Sequence, residues 1–323
     1  MDIQFTKGLQ DNYNRIANYF GNQFKVGVMI SLASKYTLEK REFSGVALQK
    51  IVDQMAAYSK KSLSIQRNSP IPYYIAARFL GQDLETCFES LLQRDTALKE
   101  AGFHTSPFRL AGAMMLDEDI HLHTKRAKAL YDEMHRKQFF LTAKEDIPYV
   151  VLLSKENEHP QRQVETMVQY YKGLRKQGFM LGNALQSLAQ ILTMYSSEYN
   201  DMLLQYVVEL RHSLNHKGIK IKPLHYPYLG ILALNATDHI KIGEIAEWQK
   251  TFMELKMFRM AKEFALIVAI QKVIKELVEV QNMVDMKENL FIENLIDALD
   301  IALDVLDFFV LPGSVGDLFD FFR

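Results

Sequence analysis

The sequence predicts an all-α protein, an α-solenoid of about six helix-turn-helix repeats with a helical cap at each end. Three observations lead to this prediction: turn-forming residues are scarce, a spacing of 36 to 41 residues recurs, and apolar residues follow helical periodicity. Only 15 Gly and 8 Pro occur in 323 residues, whereas all-β proteins and glycine-looped nucleotide-binding folds need many turn residues. The composition therefore favours helices throughout.

A recurring break between two helices defines the repeat. The first apolar residue after each break recurs in steps of 40, 36, 40, 40 and 38 residues, and a glycine precedes it in three repeats. This pairing is typical of a helix that ends in a left-handed glycine followed by an apolar residue packed on the last turn. The apolar residues are Leu63, Phe103, Phe139, Phe179, Ile219 and Met257, and the glycines are Gly102, Gly178 and Gly218.

The two helices of each repeat differ in character. First helices carry one apolar stripe at helical spacing, such as Val207, Leu210 and Leu214, whereas second helices such as YPYLGILAL are short and apolar on most faces. A lone hairpin cannot bury both surfaces, so neighbouring hairpins must stack. The period lies between the tetratricopeptide length of ~34 residues and the HEAT range of ~40–47, which predicts tetratricopeptide-like repeats. The prolines that start second helices are Pro72, Pro107, Pro148 and Pro227.

The chain divides into three parts: an N-terminal helical cap (1–44), the repeats (45–275), and an acidic amphipathic helix and tail (276–323). From Val284 to Arg323 there are nine acidic and two basic residues, a net charge of −7, which leaves +6 for the rest. Apolar and acidic residues form opposing helical stripes here, so this segment either seals the last repeat or docks in the solenoid groove or on a partner. The apolar stripe is Ile292, Ile296, Leu299, Leu303, Leu306 and Val310, and the acidic stripe is Asp297, Asp300, Asp304 and Asp307.

Composition also limits location and partners. A single cysteine, Cys87, excludes intrachain disulfides and suits a reducing compartment. The N-terminus lacks the apolar run of a signal peptide, and no uncharged apolar stretch reaches the ~18 residues of a membrane span. The sequence pI of 6.8 argues against nucleic acid as a partner. We therefore expect a cytoplasmic protein without a membrane segment and without a cofactor, since no phosphate-binding glycine loop is present.

Amides and tyrosines at the starts of the second helices are the candidate binding residues. Amides can bond the backbone of an extended peptide, and aromatic rings supply contact area at low entropic cost; the alternative is that both are satisfied inside the solenoid. Basic residues recur on first helices, which favours an acidic peptide or protein segment as the partner. The candidate binding residues are Tyr74, Tyr149, Asn183, Gln186, Gln190, Tyr226 and Tyr228, and the basic residues are Lys125, Arg126, Lys128, Arg136, Lys137, Lys172, Arg175, Lys176, Arg211, Lys217, Lys220 and Lys222.

A metal-dependent enzyme is the catalytic alternative. His121 and His123, in the sequence DEDIHLHTKR, form a His-x-His pair beside carboxylates, and such residues can bind zinc or a harder metal. The pair falls in a connector between repeats, where polar residues are expected, and no third ligand is identifiable. A thiol on an apolar helical stripe, as at Cys87, is typical of a buried inert cysteine. We therefore predict no metal site and no catalytic residue.

Three segments carry a resemblance to a known family. They are QFFLTAKEDIPYVVLLS (Gln138–Ser154), QGFMLGNALQSLAQIL (Gln177–Leu192) and KGIKIKPLHYPYLGILAL (Lys217–Leu234), with a weaker match at Phe258–Val273. On these segments the chain resembles a bacterial family, found mostly in Firmicutes, that is known as domain of unknown function four thousand and three. The resemblance covers roughly residues 45–275 and implies the fold and a bacterial cytosolic origin, without an activity.

Three functional hypotheses follow from the sequence. The first is a non-enzymatic interaction scaffold whose concave surface binds a peptide or protein segment. The second is a peptide-sensing regulator similar to the tetratricopeptide receptors of Firmicutes, and the third is the metal-dependent enzyme using His121 and His123. We favour the scaffold, because the repeats predict a groove while the histidine pair lacks a third ligand.

Overall fold

The computed structural model describes residues 3–59, 70–137, 142–235 and 242–281, together with 292, 294–296 and 299. Within these ranges the chain forms fourteen α-helices and no strand, which confirms the all-α prediction. The helices alternate between a partly exposed outer layer and a buried inner layer. The outer helices are α1 (Ile3–Phe20), α3 (Gly45–Ser59), α5 (Leu84–Glu100), α7 (Ile120–Lys137), α9 (Pro160–Lys176), α11 (Asp201–His216) and α13 (Ile242–Glu254). The inner helices are α2 (Val26–Leu38), α4 (Ile71–Phe79), α6 (Pro107–Ala113), α8 (Ile147–Leu153), α10 (Asn183–Thr193), α12 (Tyr226–Leu234) and α14 (Glu263–Gln281).

The predicted repeats correspond to the six hairpins from α3–α4 to α13–α14. Four of the apolar residues after the breaks, Phe103, Phe179, Ile219 and Met257, are buried; Leu63 and Phe139 lie outside the described residues. The segment 1–44, predicted as a cap, contains a seventh outer–inner hairpin, α1–α2. Stacked hairpins therefore confirm the solenoid-like architecture, while the tetratricopeptide-like character of the repeats stays a prediction.

The predicted helix ends have the expected backbone geometry. Gly102, Gly178 and Gly218 have φ values of +92°, +79° and +81°, a left-handed conformation that glycine adopts without a steric penalty. After Gly178, the Phe179 N–H donates to the Leu174 carbonyl at 3.2 Å, five residues back. The same bond follows the other two glycines, so these outer helices end in the motif that turns the apolar residue back onto the last turn.

The inner helices pack closely because they carry small and apolar residues on most faces. In α12, every residue except the last, Leu234, is buried. A Cβ atom added at Gly230 would lie 2.8 Å from Ile191 Cγ2 and 2.9 Å from Leu188 Cδ1, so glycine permits the close approach of α12 to α10. Burial on every face requires each inner helix to have neighbours on both sides.

The first hairpin, α1–α2, and the last, α13–α14, each provide the neighbour that the inner helix of the other requires. Helix α14 packs against α2, where Ser34 Oγ donates to Gln271 Oε1 at 3.0 Å. In the outer layer the Phe5 ring of α1 meets the Trp248 ring of α13 edge-on at 5.8 Å between centroids. The Lys272 ammonium lies 4.8 Å from the Phe5 centroid and 5.2 Å from that of Trp248, a distance that permits a cation–π interaction. The seven hairpins therefore close into a ring, so α1–α2 has neighbours on both sides instead of covering a free end.

Beyond α14 the structure describes five residues, and four of them are buried. Ile292, Leu295 and Leu299 are at most 7% exposed and join the core of the ring. Asn294 Oδ1 accepts a hydrogen bond from Arg78 Nη2 at 2.5 Å, which brings this segment to α4 in the second hairpin. The acidic stripe predicted at 297, 300, 304 and 307 lies outside the described residues.

The left-handed glycines give a matched test of the helix-end motif. Gly178→Ala should lower the free energy of unfolding by about 1 kcal/mol, because a Cβ strains the left-handed conformation although no atom lies within 4 Å of it. Gly243→Ala in α13 also meets no atom within 4 Å but lies in ordinary helical backbone, where alanine is favoured. Urea denaturation should show a loss for the first variant and no loss for the second, and equal effects would contradict the motif.

Candidate functional site

The structure buries six of the seven candidate binding residues, and only Asn183 is exposed. The Tyr74 hydroxyl donates to the Val28 carbonyl at 3.3 Å, and the Tyr226 hydroxyl accepts from the Met180 N–H at 3.1 Å. Their burial matches the alternative reading of the sequence, in which these side chains are satisfied inside the solenoid. Binding of a partner by these residues stays a prediction that would require the inner layer to open. The buried six are Tyr74, Tyr149, Gln186, Gln190, Tyr226 and Tyr228.

Two of these residues, Gln186 and Gln190, hold a buried carboxylate. Their Nε2 atoms donate to Asp146 Oδ1 at 2.8 and 2.7 Å, and Asp146 Oδ2 accepts the Ala143 N–H at 2.7 Å. Asp146 ends the short 3-10 helix that precedes α8, while both glutamines lie on α10. The carboxylate therefore caps one inner helix and connects it to the next.

Burial sets the protonation behaviour of this carboxylate. Desolvation raises the pKa of Asp146 to about 6, although the hydrogen bonds from Ala143, Gln190 and Gln186 act in the opposite direction. His225 occupies the corresponding place before α12: its Nδ1 accepts the Lys222 N–H at 3.1 Å, and its Nε2 lies 3.2 Å from the Glu263 carbonyl. Burial lowers the pKa of His225 to about 4. Burial therefore favours the neutral form of each group relative to the same group in water.

A buried ion pair in the second repeat escaped the sequence analysis. Arg109 on α6 is 1% exposed and donates through Nε and Nη2 to both oxygens of Asp95 on α5, at 2.8 and 2.9 Å. Its Nη1 also bonds the Phe103 carbonyl and Thr105 Oγ1. The sequence does contain one sign of this pair: Asp95 lies four residues after Leu91, at a position where the apolar stripe of α5 would continue. The arrangement is structural, since it is sealed from solvent.

The structure does not bring His121 and His123 together as metal ligands. Residues two apart on a helix point in different directions, and here His121 is exposed whereas His123 is buried. His123 Nδ1 accepts the Asp117 N–H at 3.1 Å, and its Nε2 lies 2.7 Å from the Val151 carbonyl. Both ring nitrogens are therefore engaged within the protein. Among the described residues no group of three or more His, Cys, Asp or Glu could hold a metal ion.

Three cations, Arg94, Arg126 and Lys155, interact with Asp117, and a fourth, Arg78, repels two of them; we call these four residues from three hairpins the basic cluster. Arg126 Nη2 lies 3.6 Å from Asp117 Oδ2 and also donates to the Lys155 carbonyl at 2.6 Å. Burial lowers the pKa of Arg94 and of Lys155, and Arg78 adds repulsion in both; Asp117 opposes the shift in both, as do Glu118 for Arg94 and Glu156 for Lys155. The cations therefore outnumber the carboxylates by one.

Two buried polar atoms of this surface have no hydrogen-bond partner within the described part of the chain: Arg94 Nε and Asp117 Oδ1. Such atoms normally bond to protein, water or a ligand. Arg94 also lines a cavity of about 270 Å³ between α4, α5 and the end of α6. The other polar side chains of its lining are Arg78, Gln82, Thr86 and Ser90, of which Gln82 already donates to the Arg78 carbonyl and Thr86 to Asp83. The two arginines are thus the cationic side chains of this cavity.

Sequence reasoning identified only one member of the basic cluster, Arg126. The other three, Arg78, Arg94 and Lys155, lie on α4, on α5 and two residues after α8, and none of them has another basic residue as its neighbour in sequence. They were not recognisable as a group because ring stacking, rather than proximity in sequence, places them together.

The opposite pKa shifts of Asp146 and His225 predict opposite pH dependences of stability. The folded chain keeps the Asp146 proton to about pH 6, whereas an unfolded aspartate releases it near 3.8, so raising the pH through this window removes stability. The free energy of unfolding of the wild type, measured by urea denaturation, should therefore fall across this pH window by on the order of 3 kcal/mol relative to that of Asp146→Asn. Relative to His225→Gln the wild type should gain stability over pH 4 to 6.5, because the unfolded histidine binds the proton more readily. Parallel profiles for all three proteins would contradict both assignments.

Comparisons with known proteins agree with the resemblance found in the sequence. A family model described as "Protein of unknown function (DUF4003)" matches residues 12–300. One relative, the uncharacterized protein YeaA of Bacillus subtilis (strain 168), is 23% identical over 244 residues, which cover 69% of this chain and 73% of the relative. No solved structure matches the chain. Within the described helices, none is long and apolar enough to cross a membrane. Because the family match runs from α1 to the buried residues near Leu299, the chain belongs to the DUF4003 family of proteins of unknown function.

Proposed function

We propose that the protein is a non-catalytic binding protein that takes an acidic protein segment at the basic cluster. The observation that carries this proposal is the buried Arg94 Nε without a partner among the described residues, set beside a cavity lined by further donors. The single cysteine suits a reducing compartment, so we place this binding in the cytoplasm.

The chemistry of the cluster fits carboxylates. A guanidinium offers a planar fork of donors that matches a carboxylate in bidentate geometry, and the cluster contains three guanidiniums. Arg126 already uses its fork on the Ser154 and Lys155 carbonyls at 2.8 and 2.6 Å, and it holds the end of α8 in place. Arg94 is the member whose buried Nε has no hydrogen-bond partner among the described residues.

The size of the site favours side chains of a segment over a large cofactor. A cavity of about 270 Å³ lies below the usual ~300–1,000 Å³ of small-molecule pockets but admits one or two acidic side chains. The cluster also spans three hairpins, so a segment lying across it would contact side chains from α4, α5 and α7. A binding mode of this kind needs no catalytic group.

Fluorescence anisotropy with a short labelled peptide of alternating Glu and Ala tests the proposal. We expect saturable binding that weakens between about 0.01 and 0.15 M salt, as the screening length falls from ~30 to ~8 Å. Arg94→Gln should weaken it about tenfold, which corresponds to about 1.4 kcal/mol, within the range for a charged hydrogen bond.

Lys220→Gln is the matched control, because it removes the same charge from an exposed position outside the cluster. Its affinity for the peptide should lie within about twofold of the wild-type affinity, a free-energy difference well under 1.4 kcal/mol. Thermal melts should show that both variants fold. Equal losses in the two variants would mean that the peptide responds to overall charge and would overturn the site. Absence of binding to the wild type at low salt would overturn the function.

A further inference from the structure

Three neighbouring turns at one end of the ring concentrate positive charge, and we call them the basic turns. They connect α9 to α10, α11 to α12 and α13 to α14, and with the adjoining helix ends they comprise residues 175–182, 217–222 and 254–263. They contain eight basic and two acidic residues, a net charge of +6, which equals the net charge of residues 1–283 as a whole. The basic residues are Arg175, Lys176, Lys217, Lys220, Lys222, Lys256, Arg259 and Lys262.

Contacts between these turns make them one surface. The outer helix α11 packs against both α9 and α13. The Arg211 Nη2 atom of α11 donates to the Gln177 carbonyl in the first turn at 2.5 Å. Lys222 of the second turn forms an ion pair with Glu263 at the end of the third. The basic residues of three hairpins therefore lie side by side at one end of the ring.

Little of this charge is neutralised within the protein. All eight basic residues are exposed, and Lys222 alone among them forms an ion pair with another residue of the described part of the chain. Like charges held close together repel one another. An anionic partner would relieve this repulsion, so the basic turns favour a partner with many negative charges.

Exposed aliphatic side chains lie in the same turns. Met180 and Leu181, directly after the buried Phe179, are 53% and 56% exposed, and Met260 in the third turn is 85% exposed. Basic residues together with exposed apolar ones are typical of proteins that lie on anionic membranes, where the apolar side chains enter the acyl boundary and the cations meet the headgroups. Single-stranded nucleic acid, in contrast, is bound by stacking on aromatic rings. The aliphatic character of these three side chains therefore favours lipid over nucleic acid.

We infer that the basic turns dock the protein on the surface of a membrane that contains anionic lipids. Attraction to such a surface accumulates over the basic residues near it and falls off within a Debye length, so eight cations in three adjacent turns act together. Burial of Met180, Leu181 and Met260 adds an apolar contribution to the binding. The inference goes beyond the proposed function, because it concerns another surface and another class of partner.

Sedimentation of the full chain with sucrose-loaded vesicles tests this docking. Vesicles of phosphatidylcholine with about 30% phosphatidylglycerol, an anionic lipid, are compared with vesicles of phosphatidylcholine alone. We expect binding to the anionic vesicles to be at least about tenfold tighter than to the neutral ones, and to weaken as added salt screens the charges. Equal binding to both kinds of vesicle, or binding to neither, would overturn the inference, including the case in which a mixed-sequence RNA binds instead.

A matched pair of double variants locates the surface. Lys217→Gln with Lys256→Gln removes two charges from the basic turns and should weaken binding to the anionic vesicles about tenfold. Lys7→Gln with Lys50→Gln removes two charges from exposed positions on α1 and α3 and should leave binding within about twofold of the wild type. Thermal melts should show that both double variants fold. Equal losses in the two would mean that the vesicles respond to overall charge, which would overturn the assignment to the basic turns.

A polarity-sensitive fluorophore reports which end of the ring meets the lipid. In a Cys87→Ser background, which removes the single native cysteine, the label is attached at Leu181→Cys or at Met202→Cys. Met202 is also exposed but lies at the start of α11, at the opposite end of the ring. Anionic vesicles should raise the emission of the first label severalfold and leave the second unchanged, because the first enters the acyl boundary. Equal changes at the two positions, or no change at Leu181→Cys, would overturn the inference.

Discussion

The fold depends on one constraint: the inner helices are apolar on nearly every face and must be covered on both sides. Helix α12 shows it most clearly, with all but its last residue buried and Gly230 allowing contact with α10. An open array would leave such a surface exposed at each end, at a cost of roughly 25 cal/mol per Å² of apolar area. Closure of the ring by α2 against α14 removes both ends at once.

Ring closure also determines where function can reside. Polar side chains that start the inner helices become internal connectors: Asp146 binds α10, and His225 reaches the first residue of α14, Glu263. The exposed edge at the ends of the inner helices instead collects charged residues from several hairpins, among them Arg94 and Lys155. The inner polar groups therefore stabilise the ring, and the edge is the surface at which we propose that a partner binds.

Local features were predictable from the sequence, whereas long-range ones were not. The left-handed ending at Gly178 depends on a glycine followed by an apolar residue, a signal contained within a few positions. The Ser34–Gln271 hydrogen bond joins residues 237 positions apart, and nothing near either residue indicates its partner. For the same reason Gln190 resembled a groove residue: the sequence around an amide on an inner helix is the same whether the amide faces a ligand or a buried carboxylate such as Asp146.

Closure of the ring is tested most directly by a zero-length cross-link across its seam. Lys40 Nζ and Glu279 Oε1 lie 3.2 Å apart on exposed side chains, so a carbodiimide should join them by an amide bond within the monomer. Lys222 and Glu263, an exposed ion pair between neighbouring hairpins, serve as the internal control. We expect both cross-links in the monomeric protein, and recovery of the Lys222–Glu263 link without the Lys40–Glu279 link would contradict a closed ring.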